Sequence, residues 1–404
     1  MSSDWAQLHP ELIEAIANRL SAYIDYIRFR AVCVSWRSVL PKLPNLRHLP
    51  PQIPWLMVPF MEDKSQNYGC FFSISENKYH LLELPEFSKK RVCGSSLGWL
   101  IMLEEGPAVN LFNPLTRTLI PLPPLTTFPH VKFRPSKLGR EFKIYDSTED
   151  DSYTHSLTMM QNCFIRKMVL SSSPSSNNIE AVNYMIVAIL SSCKLAFMKK
   201  GDQVWTLLND PEFSFEDVIF YKGQYLAVDS ERRVVVCDFD DPSLKVTVIS
   251  PGPQGEIGFT THYLVDFSGD LLLVSRVREY EHKGTFDYTT VKFRVFKPDQ
   301  NGQEWHWPRI KDLGDCVLFL GANSSVCLLA NELSGCQRNC IYFADDNHDS
   351  YNFKDDDLDD SYEIGGHDLG VFDLNNGSIK ANPYHLFNPR FIWPPPIWVT
   401  PNPS

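Results

Sequence analysis

A glycine turn between two apolar runs recurs along this chain and restricts its possible folds more than any other feature. Gly98, Gly223 and Gly269 each stand between two such runs, and the last two glycines are 46 residues apart. Four short strands in a period of about 45–50 residues are typical of a β-propeller blade. A further strand-like run follows each glycine and ends at a proline turn, at Pro114, Pro242 and Pro298.

Residues 55–404 follow this pattern and are long enough for about six or seven blades. We therefore expect a mainly β fold, in which a small α-helical N-terminal module precedes a β-propeller. A pair of β-sandwiches is the alternative, but the regular order of glycine and proline favours repeated blades.

Two short strand-like segments lie at opposite ends of this region, at residues 54–59 and 396–401. A propeller must join its last blade to its first, or unpaired strand edges remain. We therefore expect these two segments to meet in the closing seam. The alternative for residues 393–396, Trp-Pro-Pro-Pro, is an exposed polyproline ligand.

The first forty residues have helical spacing. Leu12, Ile16 and Leu20 recur every four residues, and Pro10 fits the first turn of this helix. A second helix, predicted over residues 24–40, is apolar on two faces. A module of about forty residues is too small to bury both faces, so the excess apolar surface must meet the rest of the chain or a partner.

These helices carry a family resemblance. The run from Leu8 to Ile13, followed by Val32, Cys33 and Trp36, resembles an F-box, which implies binding to a Skp-type adaptor and through it to a cullin scaffold. Whether each residue contacts the adaptor or forms the F-box core is left open, and an ordinary helical cap is the alternative. The residues concerned are Leu8, Pro10, Glu11, Leu12, Ile16, Leu20, Val32, Cys33 and Trp36.

Together with segments near the C-terminus, the F-box resembles the plant F-box proteins that have a KIB-type β domain. This resemblance divides the chain into an F-box (1–45), a proline-rich linker (46–54) and a KIB-type domain (55–404). It implies a non-catalytic substrate-recognition subunit of an SCF-type ubiquitin ligase, whose β domain binds a target protein. A non-ligase propeller scaffold or a ligand-binding protein is the alternative. The C-terminal segments are Trp305–Trp307, Leu313–Gly321, Asn339–Asp346, Gly370–Leu374 and Trp393–Trp398.

The net charge of −11 is concentrated in residues 345–368, which hold ten acidic residues and one lysine. The rest of the chain is close to neutral, which argues against a nucleic-acid footprint and a polybasic membrane anchor. No apolar run reaches the roughly 18 residues of a membrane helix. We expect residues 345–368 to be a solvated insertion, and weak calcium binding or attraction of a basic partner is the alternative. Gly366 stands where a calcium-binding EF-hand loop needs glutamate.

Two motifs suggest chemistry but fit it poorly. Residues 94–98 match the hydrolase pattern G-x-S-x-G around Ser96, but that site requires a helix after the turn, and the sequence predicts a strand. Cys336 and Cys340, with His348 and His367, have a wider spacing than most zinc sites. We therefore expect no catalytic residue, metal or cofactor.

Ten cysteines are scattered along the whole length, which favours free thiols and a nuclear or cytoplasmic location. The target-binding residues are unknown at this stage. Four residues of predicted loops are candidates that nothing in the sequence distinguishes: Phe128, His130, His262 and Tyr263.

Overall fold

The fold is seen in a computed structural model. Most of the predicted linker and most of the acidic insertion, residues 46–51 and 348–364, lie outside the described residues. The structure describes residues 5–20, 23–41, 52–59, 67–88, 90–104, 106, 108–136, 139–145, 152–174, 182–208, 210–255, 258–280, 288–299, 305–333, 335–347, 365–381, 384 and 392–402.

Three short helices form the N-terminal module: α1 (Pro10–Ala17), α2 (Tyr23–Arg30) and α3 (Val34–Val39). Pro10 is the first residue of α1, as predicted. The prediction of one continuous helix over residues 24–40 is wrong. Instead, α2 ends at Arg30, and Cys33, which has an extended backbone, caps α3 because its Sγ accepts a hydrogen bond from the Trp36 amide. No helix in the described part is long and apolar enough to span a membrane.

The rest of the described chain is mainly β, and the predicted fold class is confirmed. One further helix, α4 (Leu157–Cys163), lies among the strands. The strands are β1 (Trp55–Val58), β2 (Tyr68–Ser73), β3 (Lys78–Glu83), β4 (Lys90–Ser96), β5 (Trp99–Glu104), β6 (Val109–Asn113), β7 (Thr118–Leu122), β8 (Val131–Ser136), β9 (Gly139–Tyr145), β10 (Ser152–Ser156), β11 (Ile165–Leu170), β12 (Met185–Leu190), β13 (Leu195–Lys199), β14 (Thr206–Leu208), β15 (Phe215–Tyr221), β16 (Gln224–Asp229), β17 (Val234–Asp238), β18 (Lys245–Ser250), β19 (Thr260–Phe267), β20 (Asp270–Tyr280), β21 (Tyr288–Phe296), β22 (Arg309–Ile310), β23 (Cys316–Leu320), β24 (Val326–Leu329), β25 (Cys340–Phe343), β26 (Gly370–Asp373), β27 (Ile379–Ala381) and β28 (Ile397–Val399).

These strands form seven sheets, and in five of them consecutive strands pair in chain order. Contacts between strands place β4 beside β11, β11 beside β15, β15 beside β19 and β19 beside β24. The three-stranded sheet therefore lies outside this succession, although it falls between β7 and β11 in the chain. The number of blades stays a prediction. The sheets have the strand orders β28-β1-β2-β3, β4-β5-β6-β7, β10-β9-β8, β11-β12-β13-β14, β15-β16-β17-β18, β19-β20-β21-β22 and β24-β23-β25-β26-β27.

The repeated glycines form the same turn in three sheets. Leu97–Gly98, Lys222–Gly223 and Ser268–Gly269 each close a two-residue hairpin, and both residues of each pair have positive φ. This is the geometry of a type I′ turn, whose second residue adopts it most readily as glycine. The Tyr221 hydroxyl donates to the Gly269 carbonyl over 2.6 Å, so turns of neighbouring sheets lie side by side. We call this end of the strands the turn face and the other end the opposite face.

The predicted seam is confirmed. The first strand of the β domain, β1, pairs with the last one, β28, and places Leu56 opposite Trp398. The alternative of an exposed polyproline ligand is wrong, because Pro395 and Pro396 are buried. The two ends of the β domain are therefore held in one sheet.

Candidate functional site

The N-terminal helices have a small core of their own. Ile13, Ala17, Tyr26, Trp36 and Leu40 are buried together. The Trp36 indole packs at a tilt against Phe29, with 4.4 Å between the ring centroids, and donates a hydrogen bond to the Trp5 carbonyl over 3.0 Å. The module therefore encloses only part of its apolar surface.

The structure assigns four of the nine predicted F-box residues to packing. Trp36 belongs to the core, and Leu8, Leu20 and Cys33 are partly buried against it. Cys33 also caps α3, with 3.5 Å between its Sγ and the Trp36 amide nitrogen. These four side chains hold the three helices together.

The other five predicted residues, Pro10, Glu11, Leu12, Ile16 and Val32, are exposed. Leu12 is 53% exposed and Val32 is 60% exposed, so neither side chain belongs to the core of the module. Trp5 and Val34 are exposed as well, although neither is among the nine predicted residues. We call the apolar residues Trp5, Leu12, Ile16, Val32 and Val34 the exposed F-box residues.

The helices meet the turn face of the β domain through α2. The Arg28 guanidinium donates to both carboxylate oxygens of Glu76, over 2.7 and 3.3 Å. Hydrogen bonds from Arg28 and Lys78 hold the pKa of the Glu76 carboxyl at about 2, well below its usual value. Beside this pair, Tyr23 and Ile27 cover an apolar cavity of about 250 Å³.

On the opposite face, two arginines of β20 form a buried ion network with acidic residues of the predicted insertion. Arg276 lies 3.2 Å from the carboxylate of Asp346 and 3.0 Å from that of Asp368. Arg278 lies 2.6 and 3.2 Å from the same two groups. The Tyr288 hydroxyl donates to Asp345 over 2.7 Å. We call these six residues the ion network.

The ion network corrects the prediction of a wholly solvated insertion. Asp345 and Asp368 are buried and Asp346 is nearly so, and arginines 68 to 92 positions away compensate the charges of Asp346 and Asp368. Burial disfavours the ionised form of Asp368, but Arg276 and Arg278 outweigh it and hold its pKa below the usual value. Burial and the nearby charge of Asp368 raise the pKa of Asp345. The insertion is therefore anchored in the β domain at both ends.

The suggested hydrolase serine has a packing role. Ser96 is the last residue of β4, and β5 follows the turn, so the predicted strand is confirmed. Its hydroxyl is buried, accepts a hydrogen bond from the Leu170 amide over 3.1 Å and lies 2.8 Å from the Ser324 hydroxyl. These contacts join β4 to β11 and to the loop between β23 and β24, which belong to different sheets.

Two of the four candidates from predicted loops lie in a strand, and the other two, Phe128 and His130, lie in the loop before β8. His262 and Tyr263 are buried in β19 and not in a loop, and Phe128 is buried as well; His130 is partly buried. All ten cysteines are free, Cys336 and Cys340 among them. Within the described ranges no group of three metal-ligating side chains occurs, and His348 lies outside those ranges, as do the alternating aspartates 355, 357 and 359.

Comparison with known proteins gives one family. The model of the KIB1-4 beta-propeller matches residues 71–373. The F-box protein SKIP23 of Arabidopsis thaliana is 30% identical, and the alignment covers 98% of this chain and 96% of that protein. A second F-box protein of the same organism is 27% identical, with 98% of this chain and 95% of the relative covered. A third is 25% identical and covers 85% of this chain and 96% of its own length.

Proposed function

Because the chain belongs to the F-box proteins that carry a KIB1-4 β-propeller, we propose that it is the substrate-recognition subunit of an SCF-type ubiquitin ligase. Its F-box binds a Skp-type adaptor and through it a cullin scaffold, and its β domain binds a target protein. It contributes no catalytic residue. It increases the effective concentration of the target near a bound ubiquitin-conjugating enzyme, in the nucleus or the cytoplasm.

The exposed F-box residues are the observation that carries this proposal. If the helices only capped the β domain, their apolar side chains would point towards it. Tyr23 and Ile27 of α2 do so, whereas Leu12 and Val32 are more than half exposed. An apolar surface left over after the module has packed against its own β domain fits a permanent protein partner.

The position of the helices supports separate binding surfaces for the adaptor and the target. They contact the turn face through Arg28 and Glu76, which leaves the opposite face free of the F-box. An adaptor bound to the helices and a target bound to the opposite face would therefore not compete for one surface.

Co-purification tests the proposal. The full chain, co-expressed with a Skp-type adaptor, should retain the adaptor, and the double variant Leu12→Ala/Ile16→Ala should lose most of it while melting at the same temperature. A matched double variant, Leu81→Ala/Leu119→Ala, removes two leucines of similar exposure from the β domain and should retain the adaptor. Equal retention by both variants, or none by the wild type, would favour a propeller scaffold or a ligand-binding protein.

A further inference from the structure

A polar cleft of about 560 Å³ lies between the sheet of β1–β3 and the sheet of β25–β27. β2 and the turn after it, which includes Ser75 and Asn77, form one wall. β25, β26 and β27 form the other wall, and the segment before β25 contributes Gly335 and Gln337. A concave space of this volume is typical of a small-molecule site, and the function proposed above makes no use of it.

Three aromatic residues form the floor of the cleft: Phe72, Tyr342 and Tyr384. The rings of Phe72 and Tyr384 are 5.2 Å apart, and those of Tyr342 and Tyr384 meet the Trp398 ring edge to face at 6.3 and 5.9 Å. All three floor residues are buried. The cleft therefore offers a ligand an aromatic surface that is already ordered, so little conformational entropy is lost on binding.

The Tyr384 hydroxyl is a buried polar group without a hydrogen-bond partner in the described part of the chain. Burial raises the pKa of this phenol well above its usual value, so it keeps its proton and can donate. The Tyr342 hydroxyl accepts a hydrogen bond from the Gln337 amide over 3.1 Å, which leaves its own proton to donate as well. Because a buried hydroxyl without a partner is costly, the floor favours a ligand that brings an acceptor.

A lysine at the rim indicates the charge of that acceptor. Tyr342, Val371 and Lys380 lie directly opposite one another across β25, β26 and β27, so their side chains share one face of the sheet. Lys380 is exposed and forms no ion pair with a described carboxylate. Asp373, the one acidic residue among the described lining residues, is bound by its own turn, since it accepts hydrogen bonds from the backbone and side-chain amides of Asn375 over 2.8 and 2.9 Å.

We propose that this cleft binds a small-molecule carboxylate that has an aromatic ring. The carboxylate accepts from the Lys380 ammonium group and from the hydroxyls of Tyr342 and Tyr384, and the ring covers the floor. The site goes beyond the proposed function, because it requires neither the adaptor nor a target protein. Ser75 also lines the cavity beneath α2, so the cleft borders the contact between the helices and the β domain.

Three probes test the proposal. 2-Naphthoate, the uncharged 2-naphthamide and tri-glutamate are titrated into the full-length chain by isothermal titration calorimetry. 2-Naphthoate should bind, and the other two should bind about tenfold more weakly, because the amide has no charge and the peptide has no ring. The proposal is overturned if the wild type does not bind 2-naphthoate, or if it binds the amide or the peptide as tightly. Equal binding of tri-glutamate would indicate a site for acidic peptides.

A charge variant locates the carboxylate of the probe. Lys380→Met keeps the length of the side chain, and it should weaken 2-naphthoate binding about tenfold and remove most of the preference over 2-naphthamide. Lys245→Met is the matched control, because it removes another exposed lysine from the outermost strand of a sheet, β18, and should change neither affinity. If Lys380→Met binds 2-naphthoate as tightly as the wild type, the carboxylate is not bound at the rim and the proposal fails.

A hydroxyl variant tests the floor with a second readout. Tyr384→Phe should weaken 2-naphthoate binding about three- to tenfold, the range of a single hydrogen bond, without lowering the melting temperature, because the hydroxyl has no partner to lose. Tyr225→Phe, the control, removes a hydroxyl that donates to the Met185 carbonyl over 2.8 Å, so it should lower the melting temperature and leave binding unchanged. Unchanged binding by Tyr384→Phe, or a lower melting temperature, would show that this hydroxyl is not a donor reserved for a ligand and would overturn the proposed site.

Discussion

Arg276 and Asp368 are 92 positions apart in the chain, yet the guanidinium of one lies 3.0 Å from the carboxylate of the other, and both residues are buried. The contact joins β20 to the segment that precedes β26, two parts of different sheets. It is therefore a tie between neighbouring sheets, and it also sets where the acidic insertion leaves the β domain.

Removing one partner of this pair should be costly. Asp368→Asn leaves Arg276 and Arg278 buried with one carboxylate fewer, and breaking a buried ion pair from one side costs about 3–5 kcal/mol of the free energy of unfolding. Urea denaturation followed by tryptophan fluorescence measures it. Asp240→Asn is the matched control, because it removes an exposed aspartate 2.6 Å from Lys199 and should cost less than about 1 kcal/mol. Equal losses for the two variants would show that the network is not a structural tie.

The ion network could not be predicted from the sequence. The periodic glycines predicted the hairpins because a turn is encoded by adjacent residues such as Ser268 and Gly269. No local signal pairs Arg276 with Asp368, and a run of acidic residues looks the same whether its ends are solvated or buried. The pairing of these charges is evident only in the folded structure, where β20 lies beside both ends of the insertion.

Stability should fall as the pH rises towards 8, because of Glu216. Burial raises the pKa of its carboxyl to about 8, although the His262 amide donates to it over 2.7 Å. Between its usual pKa and about 8 the unfolded chain ionises this group while the folded chain keeps it protonated, so each rise in pH favours unfolding. Glu216→Gln should remove this dependence.

The advantage of Glu216→Gln over the wild type should therefore grow from pH 5 to pH 8, by at most about 1.4 kcal/mol per pH unit. Urea denaturation at four pH values measures it. Glu279→Gln, at an exposed position, is the control and should show no such trend. A constant difference between Glu216→Gln and the wild type would mean that the carboxyl is already ionised in the folded state.

Two equivalent turn glycines should differ in their tolerance of a side chain. Gly98 and Gly223 have φ of 85° and 83°, so alanine is strained at both, by roughly 1 kcal/mol. A Cβ at Gly98 would also lie 2.4 Å from the Cβ of Asn402, whereas at Gly223 nothing lies within 4 Å. Gly98→Ala should therefore lower the melting temperature more than Gly223→Ala, and equal shifts would show that the chain after β28 moves aside without cost.

The candidate site was predicted in part. Leu12, Ile16 and Val32 were selected together with Leu20, Cys33 and Trp36, because a motif records which residues recur but not which way they face. The break between α2 and α3 determines which of these residues face the core, because it turns α3 back onto α1 and buries Trp36 while Val32 stays exposed.

Deleting residues 393–404 should lower the melting temperature of the whole β domain. The deletion removes β28, leaves one edge of β1 unpaired and uncovers Leu56, and it also takes away Trp398, whose ring lies 5.2 Å from that of Phe319. Thermal melting followed by circular dichroism in the strand region measures the effect.

A point variant distinguishes the loss of core packing in the seam from the loss of the C-terminal strand. Trp398→Ala keeps the strand pairing and creates a cavity in the core, which costs about 3–5 kcal/mol, whereas Trp5→Ala removes an exposed ring and should cost less than about 1 kcal/mol. If the seam closes the domain, the deletion lowers the melting temperature at least as much as Trp398→Ala does. An unchanged melting temperature after the deletion would mean that the sheets stay together without β28, and that the pairing of the two ends does not stabilise the fold.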